Sequence, residues 1–169
     1  MADQGAHVYD GIHLLMNAGY PLAVNASGGK PHHAGGDTPE SVVVIAEYPE
    51  DFLGIFTINY AGMKYKLQND QLNQLDGDKA RMDVSREECK VYMQGTEDVA
   101  AITKKSARGF GYATDLHVAN FLDCVRTRKT PTAPMWVAFK AALVVQMANL
   151  SMKHGRRIRW NPQSNGVEI

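Results

Sequence analysis

The sequence predicts an α+β fold: an open, largely antiparallel (mixed) sheet with helices packed on one face and the other face available for oligomerisation. Three observations carry that prediction. Strand-like segments cluster in the middle of the chain instead of alternating with helices. Apolar residues at 3–4 spacing mark a helix at the start and two more towards the end. The central strand-like segments are apolar on both faces, so neither face can simply meet water.

Residues 3–18 read as a helix, with Asp3 as N-cap and Val8, Ile12, Leu15 and Met16 as the apolar spacing. Gly19 and Pro21 supply its stop. "PLAVNASGG" reads as a strand, and the glycine- and proline-dense "GGKPHHAGGDTPE" as a loop. "SVVVIAEYP" and "FLGIFTINYAG" form a hairpin rich in β-branched and aromatic residues. Alternation turns Val42, Val44, Ala46 and Tyr48 one way, and Val43 and Ile45 the other. In the second strand Ile55 and Thr57 oppose Phe56, Ile58 and Tyr60.

"QLNQLDGDKARMDV" and "ECKVYMQG" fit two shorter strands around charged turns, and "TEDVAAITKKSARGFGYATD" reads as an exposed loop. Thr114 then caps a second helix, to which Leu116, Val118, Phe121, Leu122 and Val125 bring apolar contact. A third helix runs from about Pro134 to His154, with Trp136, Phe139, Leu143, Met147 and Leu150 as its stripe and Gly155 as its stop. "RRIRW" is a last short strand before a loose tail.

A chain of 169 residues is expected to form one domain, 1–169, and can bury a core without disulfides or metals. Hydrophobic residues make up 44% and charged residues 21%, as in soluble globular proteins. The formal net charge is zero, which removes any global electrostatic reason to expect nucleic acid or anionic membrane as a partner. Weak self-repulsion favours self-association instead. Cys89 and Cys124 lie far apart, outside any CxxC pattern, and read as free thiols. No stretch reaches the ~20 apolar residues of a membrane span and no signal peptide is visible, so a cytoplasmic location is expected. No strand leads into a GxGxxG or GxxxxGKS/T turn, so this chain is expected to cradle no nucleotide.

The chemistry worth weighing lies in "DQGAHVYDGIHLL". Asp3 and His7 are i, i+4 neighbours on one helix face, with Asp10 one turn on. A carboxylate beside an imidazole orients it and raises its basicity, which suits a histidine that accepts a proton near neutral pH. A capping aspartate and a structurally satisfied histidine would give the same spacing.

These residues resemble the D-x-G-x-H-x-x-D segment that opens a helix in the C-terminal domain of the Gfo/Idh/MocA oxidoreductases, the glucose–fructose oxidoreductase and inositol dehydrogenase family. The likeness continues through "GYPLAVNASGGK", "HVANFLDCVRTRKTP" and "NLSMKHGRRIRWNP", in the family's order. The resemblance implies an open sheet that serves as an oligomer interface, a sugar or cyclitol substrate, and NAD or NADP bound by an N-terminal Rossmann domain. It implies His7 as proton acceptor from a substrate hydroxyl and Asp3 as the group that holds sugar and histidine. Asp10 takes a helix-packing, orienting or substrate-binding role. His117, at the start of the second helix, takes a substrate contact, with a helix-start side chain bonded to backbone as the competing reading. The glycine-rich turn and the lysine of the family's E-K-P motif have no counterpart here. The chain alone is therefore expected to bind no cofactor and to be inactive, as the excised half of a dehydrogenase. The rival reading is a non-catalytic oligomerisation or protein-binding module.

Other polar residues carry blander expectations. His32, His33 and Asp37 read as loop residues, with no metal site expected. His13 falls on the other side of the first helix and reads as packed. Lys104, Lys105 and Arg108 read as a solvated basic cluster, and Trp136 and Trp160 as packing residues.

Overall fold

The computed structural model describes residues 2–31, 35–60, 73–96 and 98–169. The elements, in chain order, are α1 (Ala2–Met16), β1 (Ala23–Gly28), β2 (Ser41–Tyr48), β3 (Phe52–Asn59), β4 (Asn73–Asp76), β5 (Ala80–Val84), β6 (Glu88–Met93), β7 (Ile102–Lys105), α2 (Gly109–Thr127), α3 (Met135–His154), β8 (Ile158–Asn161) and β9 (Gly166–Glu168). They fall into two compact units: Met1–Lys64 with Met135–Ile169, and Tyr65–Pro134.

The first unit holds a five-stranded sheet in the order β3-β2-β1-β8-β9, every pair antiparallel. The β2–β3 hairpin pairs Ser41 with Asn59 through to Tyr48 with Phe52, a register in which alternation fixes each face. Val42, Val44, Ala46, Tyr48 and Phe56 are buried beneath the helices, as their spacing predicts. Tyr9 of α1 and Val144 and Met147 of α3 complete that core with Val24 and Ile158. Fully burying such a side chain contributes about 1.5–3 kcal/mol. The outer face keeps Val43 (45% exposed), Ile45 (37%), Leu53 (59%) and Ile55 (59%) in the open. Around them stand Ser41 and Asn59, joined by a hydrogen bond, and Glu47 forms an ion pair with Arg157.

α1 begins at Ala2, so Asp3 lies in its first turn and is not the cap. The helix stops at Asn17, whose φ of 49° is left-handed, while the Ala18 N–H donates to the His13 carbonyl at 3.0 Å. Asparagine tolerates that conformation better than most residues, so the stop comes two residues before Gly19. At the end of α3 the predicted glycine does the work: Gly155 has a φ of 63°. α3 turns Ala141, Leu143, Val144, Val145, Met147, Ala148 and Ser151 inward, and Trp136 and Phe139 stay half-exposed. Against expectation, this helix is long and apolar enough by length and composition to cross a membrane; burial of that face in the core accounts for its apolarity.

The second unit holds a four-stranded antiparallel meander, β4-β5-β6-β7, and α2. Further expectations are corrected in the two units. "QLNQLDGDKARMDV" makes two strands, folded back at Gly77–Lys79 where the Gly77 N–H meets the Ala80 carbonyl at 3.0 Å. Lys104 and Lys105 stand in β7, because the open edge of β6 takes up the β-branched "IT" and its neighbours; Lys105 lies 3.8 Å from Glu88. α2 starts five residues before Thr114, at Gly109, with Arg108 as N-cap and its guanidinium over the Tyr112 ring. The tail forms β9, because Asn161 Oδ1 accepts from the Gln163 and Ser164 N–H groups and turns the chain back onto β8. The apolar residues of α2 do not find the expected burial either: Leu116, Val118, Phe121, Leu122 and Val125 are all exposed, and Cys124 is buried.

Candidate active site

α1 divides its residues sharply by face. Asp3, His7 and Asp10 are all exposed, and with Leu14 they fall within an arc of about 60° on the helix. On the opposite side Gly5, Tyr9 and His13 are buried. The polar face is therefore held outward by what the other side packs against. Asp3 in the first turn also sits where free backbone N–H groups meet polar ligands and where negative charge is favoured.

The packing side holds the structure's most unusual polar group. His13 is 4% exposed, and its Nε2 lies 2.8 Å from the Tyr48 hydroxyl, while Nδ1 is buried without a partner. The two rings meet edge to face with centroids 5.6 Å apart. Burial, reinforced by the Lys140 ammonium and opposed by Glu50, lowers the His13 pKa to about 4. Burial likewise pushes the Tyr9 and Tyr48 hydroxyls well above their ordinary range. The Tyr9 hydroxyl donates to the Gly54 carbonyl at 3.4 Å, and Tyr48 stacks on Phe52 at 4.5 Å. Beyond the last turn, Lys140 Nζ donates to the Ala18 carbonyl at 2.8 Å and the Gly19 N–H to Glu50 Oε1 at 2.7 Å. The sequence places His13 on the inward side, but its link to Tyr48 emerges only when the helix face and the strand alternation are overlaid.

The remaining candidates are scattered. His117 is exposed in the middle of α2, not at its start, because the helix begins at Gly109, and it belongs to the second unit. Asp37 accepts from the Thr38 hydroxyl at 3.1 Å, and His32 and His33 lie outside the described residues. Among the described residues no three His, Cys, Asp or Glu side chains gather as metal ligands would. Tyr20, Phe139 and Trp160 form an aromatic cluster with centroids 5.5–6.4 Å apart. Gly28, Gly29, Gly35 and Gly36 do not open a helix, because β1 continues into β2 as its antiparallel neighbour. A dinucleotide's pyrophosphate needs a glycine turn at a helix N-terminus, so these glycines do not fit one.

The family profile described as "Oxidoreductase family, C-terminal alpha/beta domain" matches residues 1–160. No curated protein sequence matches the chain. Among solved structures, a levoglucosan dehydrogenase in complex with NADH and levoglucosan is similar at 15% identity and a TM-score of 0.71, over 92% of this chain and 48% of that one. An aldose–aldose oxidoreductase from Caulobacter crescentus complexed with glycerol is similar at 14% identity and a TM-score of 0.68, over 92% and 45%. An oxidoreductase from Agrobacterium radiobacter in complex with NAD+, L-tartaric acid and magnesium is similar at 13% identity and a TM-score of 0.67, over 92% and 47%. At these identities the likeness establishes the fold. The chain spans about half the length of each of these structures.

Proposed function

The chain belongs to the Gfo/Idh/MocA oxidoreductase family as its C-terminal alpha/beta domain, and from that membership we propose that it is the substrate-binding half of a nicotinamide-dependent sugar or cyclitol oxidoreductase. The observation that carries the reading is the exposed face of α1. Asp3, His7 and Asp10 are presented to solvent together, on a helix whose second histidine, His13, is buried and committed to the core. Burial of Asp3 and His7 would have favoured a structural role for them.

On this reading the His7 imidazole accepts the proton of the substrate hydroxyl being oxidised, within hydrogen-bond reach of the oxygen. Asp3, one turn before it, orients the ring, stabilises the imidazolium that forms and accepts a hydrogen bond from a neighbouring hydroxyl of the polyol. Asp10 extends the same acceptor row. The nicotinamide, bound when present by another part of the protein, supplies the acceptor for the hydride leaving carbon. NADH and NAD+ accompany the levoglucosan and Agrobacterium relatives, and a sugar accompanies the first of them.

The outer sheet face supports an oligomeric assembly on the same reading. A second copy of the chain is proposed to cover Val43, Ile45, Leu53 and Ile55, whose neutral, apolar centre and mixed polar rim suit a self-complementary contact.

The test is NAD(P)H formation by the protein encoded by the full reading frame, across a panel of aldoses, anhydrosugars and inositols. Reduction of either cofactor by one member of the panel is the expected result. Silence with every polyol and both cofactors would overturn the reading.

A further inference from the structure

The buried side of α1, Tyr9 with Ala6, Val8 and Ile12, sets which face meets the sheet. Apolar contacts carry little direction, however, and leave small rotations about the helix axis inexpensive. A hydrogen bond does carry direction. α1 packs against the sheet at Gly54, where an added Cβ would stand 3.2 Å from the Tyr48 ring and 3.4 Å from the Tyr9 ring. At that point the helix is tied by two polar contacts, Tyr9 to the Gly54 carbonyl and His13 Nε2 to the Tyr48 hydroxyl. Both His13 and Tyr48 are buried, so losing this contact leaves polar atoms unpaired away from water. Even a small rotation that leaves Tyr9 in the core would draw His13 Nε2 off the Tyr48 hydroxyl and aim His7 elsewhere.

We propose that His13 and Tyr48 are positioning residues that fix the rotation of α1 and thereby aim Asp3, His7 and Asp10. The proposal rests on the reading of that face as the substrate face, but its test does not. His13 touches no substrate in this account; it acts through the helix that it shares with His7.

The experiment uses the chain as it stands, with His7 ring signals and backbone amide exchange followed by NMR in the wild type and in Tyr48→Phe, His13→Leu and His13→Gln. Tyr48→Phe removes one hydroxyl and keeps the ring that stacks on Phe52. His13→Leu removes the polar tip, and His13→Gln restores a polar group at a similar reach. Tyr48→Phe and His13→Leu are expected to shift the His7 ring signals and to speed α1 amide exchange at least tenfold relative to α3. His13→Gln is expected to return both towards the wild type. Unchanged His7 signals, equal acceleration in α1 and α3, or absence of rescue by glutamine would overturn the proposal. So would failure of Tyr48→Phe and His13→Gln to fold, since a positioning contact must be separable from the core itself. A dehydrogenase assay that finds no activity would leave these signals as they are, so the two failures are told apart.

Discussion

At the scale of single residues, two histidines on one helix show how burial divides roles. His7 stays in water and His13 is taken out of it. The folded His13 pKa of about 4 lies below the ordinary value of 6.5, so the folded chain binds fewer protons than the unfolded chain between those limits. Stability from this group is therefore complete above pH 6.5 and declines as pH falls towards 4, by up to about 3 kcal/mol. Thermal unfolding measured from pH 7 to pH 4 should show the wild type losing stability more steeply than His13→Phe; parallel curves would contradict the assignment. The candidate site was legible at this scale, since the i, i+4 spacing of Asp3 and His7 needs only the helix. The His13–Tyr48 contact was not, because Tyr48 is thirty-five residues away and only tertiary packing joins them.

At the scale of elements, α1, β1, β2, β3, α3 and β8 were legible because hydrophobic periodicity decides each. The α1 N-cap and stop were misplaced, since Asp3 and Gly19 are good terminal residues locally but the chain uses neither as cap or left-handed stop. β7 and β9 were missed for a related reason. Each is short, polar and stabilised by a neighbouring strand edge, a partner that no local pattern reveals. The closeness of α1 to β3 gives an element-level prediction. Gly54→Val places a branched side chain between Tyr9 and Tyr48 and should cost roughly 1–3 kcal/mol of unfolding free energy. Gly111→Ala, on α2 with open space around its Cβ, should instead add about 0.5–1 kcal/mol. Chemical denaturation of both variants checks the pair; equal effects would mean that the glycines answer to backbone propensity alone.

At the scale of the whole molecule, the exposed outer sheet and the zero net charge point the same way. An apolar face this open has little electrostatic repulsion to keep a second copy off it. Light scattering should report a dimer or larger assembly, and Ile55→Lys should shift it towards the monomer by placing a charge at the centre of that face. A monomeric wild type at high concentration would contradict the role given to the sheet. The α+β class was legible from the clustering of strands. The expectation of one domain rested on chain length, which says nothing of how contacts gather the chain into two compact units. The account as a whole is tested most directly by the rate of hydride transfer in the complete protein, wild type against His7→Ala, at saturating substrate and cofactor. The account predicts a loss of about 10²–10⁴-fold in that step with the polyol still bound; hydride transfer at the wild-type rate would contradict it.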